Sequence, residues 1–72
     1  MSESVYKVIE LVGTSPDSWE KALAVAVKQA SQSLRELRIA EVVEMDAQIG
    51  KDGSVETYRV KVRVSFKYEG HG

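Results

Sequence analysis

VETYRVKVRVSFKY, residues 55–68, alternates apolar and polar side chains almost without a break. In an extended chain Tyr58, Val60, Val62, Val64, Phe66 and Tyr68 point to one side. Thr57, Arg59, Lys61, Arg63, Ser65 and Lys67 point to the other. A helix would scatter both sets around its circumference, so the stretch predicts a long strand with one face in a core. GKDG, residues 50–53, stands just before it and has the composition of a hairpin turn. RIAEVVEMDAQI, residues 38–49, is then the antiparallel partner. Its alternation is imperfect: Ile39, Val43, Met45 and Ala47 are expected on one face, and Ala40 and Val42 on the other.

Outward from the hairpin, WEKALAVAVKQASQSLREL reads as a helix running to about Leu37. Trp19, Leu23, Ala26, Ala30, Leu34 and Leu37 recur at three- and four-residue steps, widened by Ala22 and Val27. The alanines allow close approach to a sheet, and Trp19 reads as a core anchor at the start of the stripe. Ser15 before Pro16 is the expected cap, with Pro16 in the first helical position and Asp17 at the positive end of the helix dipole. Val5–Val12 is rich in β-branched residues and predicts a first strand ending at Gly13. The order is β-α-β-β with one antiparallel sheet, an α+β fold in a single domain over residues 1–72.

Composition bounds the function. The chain has 72 residues, formal net charge −1 and no cysteine, so disulfides and thiolate chemistry are excluded. The only histidine, His71, is read as a terminal residue rather than a ligand or base. Near-neutral charge offers no general attraction to nucleic acid or anionic membrane. No apolar run approaches the roughly 18 residues of a membrane helix. The N-terminal stretch lacks the basic-then-apolar pattern of a signal peptide, and a cytoplasmic protein is expected. No serine has an evident base and no glycine loop cradles phosphate. The Gly13-Thr14-Ser15 turn before the helix is explained by capping, so an enzyme is not expected.

The lone chain has more apolar sheet than one helix can hide. A helix of about 20 residues is roughly 30 Å long, whereas a strand of about 14 residues approaches 46 Å. Some of Val64, Phe66 and Tyr68, or Tyr58 at the other end, should run past the helix. Leaving several such side chains in water forfeits several kcal/mol at about 25 cal/mol per Å². Self-association is the expected remedy. On the opposite face, Arg59, Lys61, Arg63 and Lys67 form a basic row that Glu41, Glu44 and Asp46 on the neighbouring strand could neutralise. No aromatic residue interleaves there, which argues against nucleic acid.

VYKVIELVGTSPDSWEKA, a single helix, LRIAEVVEMDAQIG, a short turn and ETYRVKVRVSFKY together resemble the dodecin family from end to end. The opening strand, the GTS turn, the aromatic early in the helix, the AEVVE stretch and the TY-V-V-F strand all fall in register. The resemblance implies a three-stranded antiparallel sheet wrapped around one helix. It also implies a hollow homododecamer that binds flavins (riboflavin, FMN) at subunit interfaces for storage rather than catalysis.

That resemblance places a flavin-stacking tryptophan just before AEVV and a flavin-bonding glutamine just after TY. Here those positions are Ile39 and Arg59. Isoleucine has no π-face, and arginine donates hydrogen bonds but accepts none. The two changes are expected to weaken the flavin mode about a hundredfold or more. RIAEV with TYRVKV looks more like the calcium dodecins, the branch lacking the tryptophan. That likeness implies a cation-binding oligomer, with Glu41, Glu44, Asp46 and Asp52 as candidate oxygen ligands. Glu41 and Glu44, three apart in a regular strand, are expected on opposite faces. The alternatives are a flavin store with a rebuilt site, in which Ile39 packs the ring and Arg59 meets an anionic group, and a structural cage or adaptor.

Overall fold

A computed structural model describes residues 3–68. His71 lies outside them. The chain forms β1 (Tyr6–Ser15), α1 (Trp19–Ser33), β2 (Leu37–Ile49) and β3 (Val55–Lys67). The sheet order is β1-β3-β2, and both outer strands run antiparallel to β3. The strand with the cleanest alternation therefore takes the centre, where both of its edges find partners. Its even residues build the core: Val60, Val62 and Val64 are at most 1% exposed. They pack with Ala22 and Ala26 of α1, flanked by Ile9, Leu11, Leu23 and Leu37.

Small residues set the distance between helix and sheet. Ala22, Ala26 and Ala30 are the buried residues of α1. Gly13 of β1 sits directly beneath them, where a Cβ would run into the Ala22 carbonyl oxygen and crowd Ala26. The hairpin turn closes with Gly50 N–H donating to Ser54 O (2.8 Å) and Gly53 N–H to Gly50 O (3.0 Å). Gly53 has φ of 85°, a conformation that glycine takes without penalty.

The helix limits differ from the sequence expectation. Ser18 is the cap, its hydroxyl accepting from Lys21 N–H at 3.0 Å. Ser15 instead ends β1, buried, with its hydroxyl accepting from Asp17 N–H at 3.0 Å. Pro16 and Asp17 belong to that turn, not to the first helical turn. At the far end α1 stops at Ser33, not near Leu37. Leu34 is already extended, and Glu36 adopts φ of 56° to reverse the chain. Leu37 is drawn into β2 because it pairs with Phe66.

The faces of β2 also differ from expectation, and the cause is a bulge. Val42 pairs with Val62 and Glu44 pairs with Lys61, which leaves Val43 as an extra residue. The insertion flips the alternation halfway along the strand. Ala40 and Val42 before it, and Met45 and Ala47 after it, lie opposite Val64, Val62, Val60 and Tyr58 on the helix side. Ile39, Glu41, Glu44 and Asp46 lie on the outer face, opposite Ser65, Arg63, Lys61 and Arg59. Met45 and Ala47 do not share a face with Ile39, and Glu41 and Glu44 do share one.

The helix lies over β1 and β3 and scarcely reaches β2. Val42 and Met45 on the inner face of β2 are 42% and 55% exposed. With Trp19, Leu23 and Val60 they line an apolar groove of about 130 Å³. The expected overrun is confined to one end of β3: Val64 is covered, Phe66 is half-buried and Tyr68 is exposed. At the other end the Trp19 ring meets the half-buried Tyr58 edge-on, with 4.9 Å between centroids. Trp19 thus anchors one end of the core while remaining 37% exposed itself. Among the described residues no helix is long and apolar enough to cross a membrane.

Candidate functional site: the outer face of the sheet

The outer face is built in rows of three across the sheet, with β3 in the middle. The register puts Thr14, Arg59 and Asp46 in one row, then Val12, Lys61 and Glu44, then Glu10, Arg63 and Glu41, then Val8, Ser65 and Ile39. A basic column on β3 is flanked by acids on both sides. The Arg59 fork meets Asp46 with two hydrogen bonds, Nε to Oδ1 at 2.7 Å and Nη2 to Oδ2 at 2.9 Å. Lys61 Nζ lies 3.8 Å from Glu44 Oε1. Arg63 Nε donates to Glu10 Oε2 at 2.9 Å.

These pairs explain the local titration behaviour. The hydrogen bond from Arg59 holds the Asp46 carboxyl below its ordinary range. In return Asp46 raises Arg59, first through that hydrogen bond and then through its charge. Glu10 raises Arg63 in the same way, with a smaller contribution from the charge of Glu41. The side chains of all three pairs stand well out in solvent, so they contribute little to stability. Their larger effect is to cancel the basic column locally.

The residues singled out from the sequence are arranged as follows. Ile39 is 64% exposed, in the row of Ser65. Arg59 is six residues from Ser65 along β3, about 20 Å at roughly 3.3 Å per residue. One chain therefore does not bring Ile39 and Arg59 to a common ligand. Glu41, Glu44 and Asp46 share the outer face because of the Val43 bulge. Asp52 is remote from them, in the hairpin turn. It accepts from the Ser54 hydroxyl (2.7 Å) and Ser54 N–H (3.0 Å), which lowers its pKa.

Two contacts of this face were not anticipated from the sequence. Glu10 pairs with a residue 53 positions away, and only the β1–β3 register reveals it. The Trp19 indole N–H donates to the Asp46 backbone carbonyl at 2.9 Å, tying the start of α1 to the bulged half of β2.

The donor chemistry suits a hard cation, since carboxylate oxygens are what calcium selects. The spacing in one chain does not. Glu41, Glu44 and Asp46 sit at successive two-residue steps of β3, about 6–7 Å apart, whereas calcium draws its oxygens to about 2.3–2.6 Å. Among the described residues no three acidic or histidine side chains converge on one point. A calcium site using these carboxylates would need further oxygens, from water, backbone carbonyls or another copy.

A β-α-β-β chain with one helix on a three-stranded antiparallel sheet, an uncovered inner groove and an outer face of paired charges defines the class. Comparison with known proteins identifies the class. A model of the Dodecin family matches residues 5–69. The calcium dodecin of Mycobacterium tuberculosis is 52% identical over 64 residues, covering 89% of each chain. The crystal structure of that calcium dodecin, described as calcium-chelating with a novel calcium-binding site, superposes with a TM-score of 0.82 at 48% identity. The match spans 96% of this chain and 97% of that one. The dodecin of Streptomyces coelicolor gives a TM-score of 0.92 at 42% identity, covering 99% of this chain and all of that one (100%). The chain belongs to the dodecin family, and calcium dodecin is a near relative.

Proposed function

We propose that this chain forms a homo-oligomeric shell, a dodecamer, that binds and buffers divalent cations, with weak flavin binding or none. It is a binding and storage protein rather than an enzyme. The observation that carries the cation reading is the bulge at Val43. It turns Glu41 and Glu44, together with the Arg59-bound Asp46, onto one exposed face, where neighbouring copies can add further oxygens. The near relative's calcium chelation supports the same reading. Against flavin stand the two substituted positions: Ile39 offers no stacking plane, and Arg59 is already engaged by Asp46.

The inner groove supports the assembly. Val42, Met45, Leu23 and Trp19 leave apolar surface in water that a second copy would cover. The test is native mass spectrometry of protein purified without added ligand, with calcium titrated in and then removed by chelator. A twelve-subunit mass that takes up calcium, and loses it in the Glu41→Gln/Glu44→Gln variant, is expected. A monomer would overturn the assembly. A dodecamer indifferent to calcium would leave only a structural cage. Quenching of riboflavin fluorescence at micromolar concentration would favour a rebuilt flavin site.

A further inference from the structure

Arg59 and Asp46 are held together by more than their own attraction. The carboxylate receives two hydrogen bonds from one guanidinium, at 2.7 and 2.9 Å. Behind it, the Asp46 carbonyl accepts the Trp19 indole N–H at 2.9 Å. The same Trp19 ring packs edge-on against Tyr58, the residue before Arg59. One aromatic contact thus steadies β2 through Asp46 and β3 through Tyr58, and keeps donor and acceptor in register.

Beside the pair lies a depression of about 70 Å³ lined by Val12, Glu44, Asp46, Arg59 and Lys61. Its two cations and two carboxylates cancel. The guanidinium fork that grips Asp46 is the same donor geometry that grips phosphate or a free carboxylate. With Asp46 neutral, the depression would carry a net positive charge and an open fork.

We propose that Asp46 is a specificity-determining residue: it occupies the Arg59 fork and turns phosphorylated and carboxylated small molecules away from this face. The face is thereby reserved for neutral and cationic ligands. The inference rests on the reading of the outer face as the ligand-binding surface, but its test needs no calcium.

The experiment titrates inorganic pyrophosphate into the wild-type oligomer and the Asp46→Asn variant and reads the affinity by isothermal titration calorimetry. Asparagine keeps the shape and removes the charge. Pyrophosphate is expected to bind Asp46→Asn about fivefold more tightly than wild type, the scale of one exposed charge pair. The gain should vanish in Asp46→Asn/Arg59→Gln. Equal affinity in wild type and variant, or a gain that survives loss of Arg59, would overturn the proposal. Asp46→Ser serves as a second variant should asparagine disturb the fold. A protein that takes up no calcium yet gains pyrophosphate binding on loss of Asp46 would sink the cation reading and keep this one.

Discussion

Deleting Val43 should leave the fold intact, whereas deleting Asp46 should not. Val43 is the surplus residue of the bulge, so its removal lets Val42, Glu44 and Met45 keep their partners Val62, Lys61 and Val60. What is lost is one valine side chain, 36% exposed, worth about 1–2 kcal/mol at most. Without Asp46 the strand has two choices. It can retain the bulge and turn Ala47 outward and Gln48 inward. Alternatively it can smooth the bulge, which aims Glu44 at Val60, a residue 1% exposed. Glu44 would take the place of Met45, which is 55% exposed in the lone chain. Its carboxylate is therefore buried only where a second copy covers the groove, as proposed, and there it costs several kcal/mol. The total stability of a 72-residue chain is only roughly 4–11 kcal/mol. Circular-dichroism melting at matched protein concentration separates the two deletions. The Val43 deletion should lower Tm by no more than about 15 °C, and the Asp46 deletion should lower it far more or abolish the transition. Equal damage from both would refute the bulge as the element that sets the faces of β2.

Three further outcomes follow from the same geometry. Val62→Ala empties a fully buried position and should cost about 2–3 kcal/mol in urea unfolding, two lost methyl groups plus a cavity. Gly13→Ala should destabilise by about 1–3 kcal/mol, because the new Cβ forces α1 off β1 at Ala22; Gly53→Ala meets no neighbouring atom and should report only the cost of positive φ. Asp46 and Asp52 have pKa values depressed in the folded chain, so their contribution is present above the unfolded aspartate value of about 3.9 and is lost as pH falls through the lower folded values. Urea midpoints at pH 6 and pH 3 should therefore differ less in the Asp46→Asn/Asp52→Asn variant than in wild type.

Much of the architecture was legible because it depends on local periodicity. The β3 alternation identified Val60, Val62 and Val64 as core residues, and the buried triplet confirms them. The alanine stripe of α1 and the two-glycine turn were equally local signals. The helix ends were misjudged because serines at 15 and 18 are equivalent as letters. Only the path of β1 decides that Ser15 completes a strand and Ser18 caps the helix. Leu34 and Leu37 continued the helical spacing, yet pairing with Phe66 outweighs helix propensity at Leu37.

The sequence by itself determined the order of elements, the face of β3 that enters the core and the surplus of apolar surface over cover. Each of these can be counted from side-chain spacing within one segment. Tertiary structure alone decided which face each half of β2 presents, because an extra residue is defined only against the partner strand it fails to match. For the same reason it alone brought Glu10 to Arg63, seated Trp19 on the Asp46 carbonyl and gathered Glu41, Glu44 and Asp46 on one side of the sheet.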